Sequence, residues 1–191
     1  MSTPSNLTQT GEVLLLALIN TQNPNLPNGA LTNANVTLGT PTASGTTPNS
    51  SLAVNAVAGQ GYQGSVTVTY NRLDIQNDVF SVLAPSGATV VNTGGTMAAI
   101  SDVVAAINAS YNLNIVEADV SNWTTALSLT EDAGSCTIDI AAGSLVYTGT
   151  LNVAITQQQV ALSQAVTNTD LSGLTPPAPS PSPTPTPSPS P

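Results

Sequence analysis

The sequence predicts an α+β protein of two similar halves, each a short helix packed on antiparallel strands, followed by an extended polyproline-type tail. Three observations lead there. Apolar residues recur at helical spacing in two short runs, and apolar and polar residues alternate in six others. Near the C-terminal end, proline takes almost every second position.

Residues 1–10 read as an N-terminal arm. The first half, 11–91, opens on "EVLLLALI" (Glu12–Ile19). That run is too short to span a bilayer. It lacks the basic residues before it and the small-residue cleavage site after it that a secretory signal needs, so it is expected to be a core helix. "NANVTLGTP" and "SSLAVNAVA" alternate between turn residues and read as strands. "SVTVTY" is the clearest strand, with Val66 and Val68 on one side and Thr67 and Thr69 on the other.

The second half, 92–175, opens on "MAAISDVVAAINASY", where Ile100, Val103, Val104 and Ile107 form one helical face. Asn92, Thr93 or Thr96 is the expected cap, after the Gly94-Gly95 turn. "ALSLTE", "SCTIDIAAG" and "TLNVAI" are the further strands. Cys136 shares a strand face with Ile138 and Ile140 and reads as a small core residue.

The halves correspond. Each has an apolar helix ending in an Ile-Asn pair, Ile19-Asn20 and Ile107-Asn108, and later a Tyr-x-Gly-Ser/Thr step into an alternating strand, at Tyr62 and Tyr147. Equivalent points lie about 85 to 90 residues apart, as an internal duplication requires. From Pro176 to Pro191 the chain reads "PPAPSPSPTPTPSPSP". Proline fixes φ and lacks an N–H, so this tail is expected as polyproline II, reaching roughly 50 Å at about 3.1 Å per residue. We expect Pro176, Pro177 and the run to Pro191 to act as an assembly element.

Composition excludes most chemistry. Of 191 residues, 40% are hydrophobic and only 6% charged, with a net charge of −9 and a single basic residue, Arg72. One cation cannot neutralise the several phosphates that a nucleic-acid interface covers, nor hold an anionic membrane surface. With no His and one Cys, zinc is not expected, and a Ser or Cys nucleophile lacks its usual base. "GQGYQG" precedes a strand and not the helix that a dinucleotide fingerprint needs. No cofactor is therefore expected.

Carboxylate pairs, Glu117 with Asp119 or Glu131 with Asp132, match a glycosidase dyad only formally and read as solvated acids. "SLTEDAGS" lacks the alternating acids of an EF-hand and reads as a hairpin turn. Sequons at Asn6, Asn35, Asn49, Asn108 and Asn122 are as many as an Asn- and Thr-rich chain yields by chance. Trp123, Tyr111 and Tyr147 are the aromatic candidates for an interface or a glycan contact. Arg72, alone among ten carboxylates, is expected to pair with Asp74, two residues along an extended strand, and with Asp78, fixing a corner of the fold.

At "GQGYQGSVTVTYNRLDI", with "LINTQNP", "YTGTLNVAI" and "DLSGLTPP", the sequence resembles an uncharacterised family of virion structural proteins of large tailed bacteriophages. The resemblance covers roughly residues 11–177, and the "YNRLDI" run is its most specific part. It implies no enzyme activity and no cofactor, and marks Tyr70–Ile75 as a structural signature. The expected function is a non-enzymatic virion protein, made in the host cytoplasm and carried in the particle. A head decoration or short fibre component, assembling with copies of itself and with other capsid or tail proteins, leads. Alternatives are a collar, tail or baseplate component, or a host-surface glycan-binding module.

Overall fold

The computed structural model describes residues 7–93, 96–130, 133–158 and 166–167. The Pro-rich tail, Pro176, Pro177 and Pro191 included, lies outside the described residues. So do Glu131 and Asp132, and with them the acid pair and the turn in "SLTEDAGS".

The fold is α+β, and its described elements lie within residues 1–158. Helix α1 (Gly11–Gln22) leads into β1 (Val36–Leu38), β2 (Thr42–Ala43), β3 (Ser50–Ala56) and β4 (Ser65–Tyr70). β3 is the spine of the first sheet: β1 and β2 pair with one edge and β4 with the other, all antiparallel. Alternation sets its inner face, where Leu52 and Val54 are buried with Val36 and Tyr70 under Leu15 and Leu16 of α1. The helix is apolar on more sides than it buries, leaving Val13 and Leu18 exposed.

The chain then crosses to a second core. β5 (Leu73–Asp74) runs into one π-helical turn, Ile75–Phe80, then α2 (Ser81–Leu83) and β6 (Ala88–Asn92). Helix α3 (Ile100–Tyr111), a 3₁₀ turn at Glu117–Asp119, β7 (Gly134–Asp139), β8 (Tyr147–Thr148) and β9 (Thr150–Gln157) follow. In the second sheet β9 lies between β7, antiparallel, and β6, parallel; β5 and β8 form a separate parallel pair. The expectation of antiparallel strands throughout is thus corrected. Parallel partners need a long crossover, and α3 with the strands after it supplies one between β6 and β9. α3 buries Ile100, Val103, Val104 and Ile107 against this sheet.

Three local expectations differ. The α3 N-terminus is capped by Asp102, whose Oδ2 accepts from the backbone N–H of Ala98 at 2.8 Å and of Ala99 at 3.0 Å. Asn92 instead accepts from Met97 N–H, and Thr96 donates to the Thr93 carbonyl. "ALSLTE" makes isolated bridges at Ala126 and Thr130 and no strand. The expected boundary at 91/92 falls inside β6, a strand of the second sheet, so the first module closes with β4 and residues 71–92 bind to the second.

Candidate functional site

The two modules share more than an outline. Near the end of α1, Asn20 bridges to the backbone of Leu31, donating to its carbonyl at 2.9 Å and accepting from its N–H at 2.8 Å. Near the end of α3, Asn108 does the same to Ile115, at 2.8 and 2.9 Å. Asn35 and Asp119 each accept from the N–H three residues back, of Thr32 and Val116. The strand pairing repeats as well: Val36 faces Ala56 as Val120 faces Ile140, and Asn55 faces Ser65 as Asp139 faces Thr150. The turns before β4 and β9 match bond for bond. Val57 donates to Asn35 and Gln60 to Val57, as Ala141 donates to Asp119 and Ser144 to Ala141. Gly64 and Gly149 close them at φ +81° and +84°, where a side chain would be strained.

The first module ends against the turn of the second, and Arg72 makes that joint. Its guanidinium, 6% exposed, donates through Nε to Ser50 Oγ at 2.7 Å, and through Nη1 to the carbonyls of Ala142 at 2.8 Å and Ser144 at 3.1 Å. Asn49 holds the Arg72 backbone at both its N–H and its carbonyl. Leu73 N–H continues the joint to the Val146 carbonyl at 2.8 Å. Ser144, buried, donates to Asp119 Oδ1 at 2.6 Å and accepts from Tyr147 N–H.

The expected ion pair is therefore not what holds Arg72. Asp74 and Asp78 are engaged elsewhere: Asp74 is still extended, at φ −67° and ψ 117°, yet its carboxylate and that of Asp78 bond to the start of the turn that follows. Asp74 accepts from Asn77 N–H at 2.9 Å, and Asp78 from Asp74 N–H at 2.8 Å. Both satisfy donors that the π-helical turn leaves open at its start. Arg72 still fixes a corner of the fold, but through neutral oxygens.

Two tyrosines flank the joint, Tyr70 and Tyr147, with buried hydroxyls that find no hydrogen-bond partner among the described residues. Burial pushes the Tyr70 hydroxyl up to about 12, partly offset by the Arg72 charge. Burial and then the Asp119 carboxylate push Tyr147 up to about 12. Burial also raises the Cys136 thiol, leaving it a poor nucleophile.

The remaining candidates do not converge. Tyr147 is buried; Tyr111 is half-buried, edge-on to Phe80 with ring centres 5.0 Å apart, its hydroxyl bonded to the backbone of Thr89. Trp123, half-buried, packs against the second core. No shared stacking face results. Glu117 and Asp119 lie on a 3₁₀ turn and not on an extended strand: Glu117 is exposed, Asp119 buried and bonded to Ser144 and Val116. A cleft of about 420 Å³ runs beside them between Glu12, Leu38, Thr40 and Gly143. Among the described residues no three His, Cys, Asp or Glu side chains group to hold a metal ion.

A family model matches residues 4–185, which span both modules and the joint. The chain belongs to DUF7941, a family of unknown function. No curated protein and no solved structure matches it. Membership in DUF7941 names no activity, so function rests on the geometry of the joint. Sequence reading found Arg72 and the Asn20/Asn108 pair. It missed Asn49, Ser50 and Ser144, of which only Ser144 had a signal, its place in a turn that repeats between the modules.

Proposed function

We propose that this chain is a non-enzymatic structural subunit of a virion of the tailed-phage kind that its sequence resembles, and that it works by assembly with copies of itself and with other particle proteins. One observation carries the reading: the joint between the modules is one-sided. The second module's turn buries Ser144 against the first, at 1% exposed, while Ala142 and Gly143 at its tip stay exposed. In the first module's matching turn, Ala58–Gly61, Gln60 stands where Ser144 does and is exposed, and the Gly61 carbonyl accepts from Asn28. A contact whose counterpart surface stays open within the chain is heterologous, and such contacts are completed by further copies into rings or filaments. The carboxylates that the joint and its flanks use are taken up by backbone donors and by the Ser144 hydroxyl, which suits a building block.

A head decoration or short fibre role fits best, since a neutral polar surface with one cation packs against neighbours at little cost in charge burial. The test is quantitative mass spectrometry of gradient-purified particles from an infection by the phage encoding this chain. Recovery at a fixed copy number relative to the shell protein supports the proposal. Recovery only from the cell fraction contradicts it.

A further inference from the structure

β4 and β9 are the same strand of the repeated module, but only β9 has both edges paired, by β7 and β6. Among the described residues β4 pairs with β3 alone. The bond from the Ala56 N–H to the Gly64 carbonyl sets the phase of that ladder. Val66, Val68 and Tyr70 therefore bond to β3, and Ser65, Thr67 and Thr69 turn their N–H and C=O groups outward. All three are exposed. So is Val66, at 59%, whereas its counterpart Leu151 is 0% exposed.

The outer edges of the second sheet are blunted. On β6 the Tyr111 hydroxyl accepts from the Thr89 N–H and donates to the Thr89 carbonyl. On β7 the Asn122 side chain donates to the Thr137 carbonyl and accepts from the Asp139 N–H, and the Ser121 N–H donates to the Asp139 carbonyl. β4 has no such cover among the described residues. It also lacks the charge, proline or bulge that usually keeps an edge from pairing.

The geometry points to a second copy of this chain as the occupant, β4 against β4, antiparallel about a two-fold axis at Thr67. The strand is self-complementary there. "SVTVT" places Thr67 opposite itself, Ser65 opposite Thr69 and Val66 opposite Val68. In that register every outward N–H and C=O of Ser65, Thr67 and Thr69 finds a partner. Val66 and Val68 then meet as a non-hydrogen-bonded pair, the closer kind, and cover apolar surface that the chain leaves open. Charge selects a copy over other partners. From Val13 to Asn71 no side chain is charged, and every carboxylate other than Glu12 comes at Asp74 or later. Chains of net charge −9 thus meet over a neutral strand, where a charged partner would find nothing to grip. The pair is isologous and closes at two copies. It rests on the self-assembly reading above, adds a surface for it, and is separate from the turn-to-joint contact.

Full-length variants test it. Cα atoms of a directly opposed hydrogen-bonded pair lie about 5.5 Å apart, within disulfide reach. Under mild oxidation Thr67→Cys is therefore expected to cross-link into dimers, and Ser65→Cys, which faces Thr69, to stay uncross-linked. The unmodified chain, with Cys136 alone, is the control. Thr67→Lys sets like charges opposite each other at an exposed position. By sedimentation velocity the unmodified chain is expected to form the dimer and Thr67→Lys to lose it, with far-ultraviolet circular dichroism unchanged. A monomeric unmodified chain, assembly that Thr67→Lys leaves intact, or Ser65→Cys cross-linking as fast as Thr67→Cys overturns the inference. Slow amide exchange at Thr67 in the dilute monomer also does so, since the edge would then be occupied within the chain. In those cases particle incorporation, measured separately, still decides the virion role.

Discussion

Arg72 and Ser144 face each other across the joint of two copies of one module, the guanidinium 3.1 Å from the Ser144 carbonyl oxygen. The positive charge is thus met by neutral dipoles. Arg72→Ala removes donors from two carbonyls and from Ser50, and we expect a loss of about 3 kcal/mol in unfolding free energy. Arg72→Lys keeps the charge but not the rigid fork, and is expected to cost about 1–2 kcal/mol. Because the partners are neutral, the Arg72→Ala difference should hold in about 1 M salt, where the Debye length is about 3 Å. Urea melts at low and high salt check this; a difference that shrinks with salt would restore an ion pair.

The asparagine bridges are expected to behave as twins. Asn20→Ala and Asn108→Ala each leave one backbone N–H and one carbonyl without their partner, at about 1–3 kcal/mol apiece. Their sites sit in different cores, so the double variant should lose about the sum. Denaturant titration of the three variants measures both points.

Gly64 and Gly149 share a positive φ but not a neighbourhood. A Cβ at Gly149 would lie 3.3 Å from an Asp74 carboxylate oxygen, whereas one at Gly64 would meet nothing within 4 Å. Both alanine variants pay backbone strain of about 1–3 kcal/mol. Gly149→Ala should also disturb the joint and melt lower than Gly64→Ala. Equal melting temperatures would mean that Asp74 yields without cost.

Tyr70 and Tyr147 make the protein sensitive to base. Their ordinary pKa of 10.0 is raised to about 12 in the folded chain. Unfolded tyrosines ionise first, so the unfolded state binds fewer protons between these values and stability falls as pH rises. Stability is whole below pH 10 and declines through pH 12, by about 1.4 kcal/mol per pH unit for each tyrosine. Tyr147→Phe removes a hydroxyl without a partner; it should leave neutral-pH stability equal or higher and flatten this decline. Thermal melts across the range check it.

The parts legible in the sequence were those with a local signal. β3 and β9 alternate, and Ile100–Ile107 repeats at helical spacing, because each element buries one face; β4 alternates in sequence although Val66 stays exposed. The Ile-Asn pairs and the Tyr-x-Gly steps marked the repeat. The joint was hidden for a physical reason: Arg72 binds backbone carbonyls of Ala142 and Ser144, and carbonyls carry no residue signature. The π-helical turn at Ile75–Phe80 was hidden too, since "IQNDVF" shows no helical period and takes its shape from packing on β9. That turn is also why Asp74 and Asp78 misled, since backbone N–H groups at its start take both carboxylates.

Gln60 and Ser144 make the same bond in the two modules, each N–H to a carbonyl three residues back. Amide hydrogen exchange at these two positions, followed across protein concentration, tests the one-sided joint most directly. The account predicts Ser144 protected at every concentration, with Gln60 exchanging fast in dilute solution and slowing as copies assemble. Equal protection of both in the dilute monomer, or a Gln60 rate that ignores assembly, would contradict it.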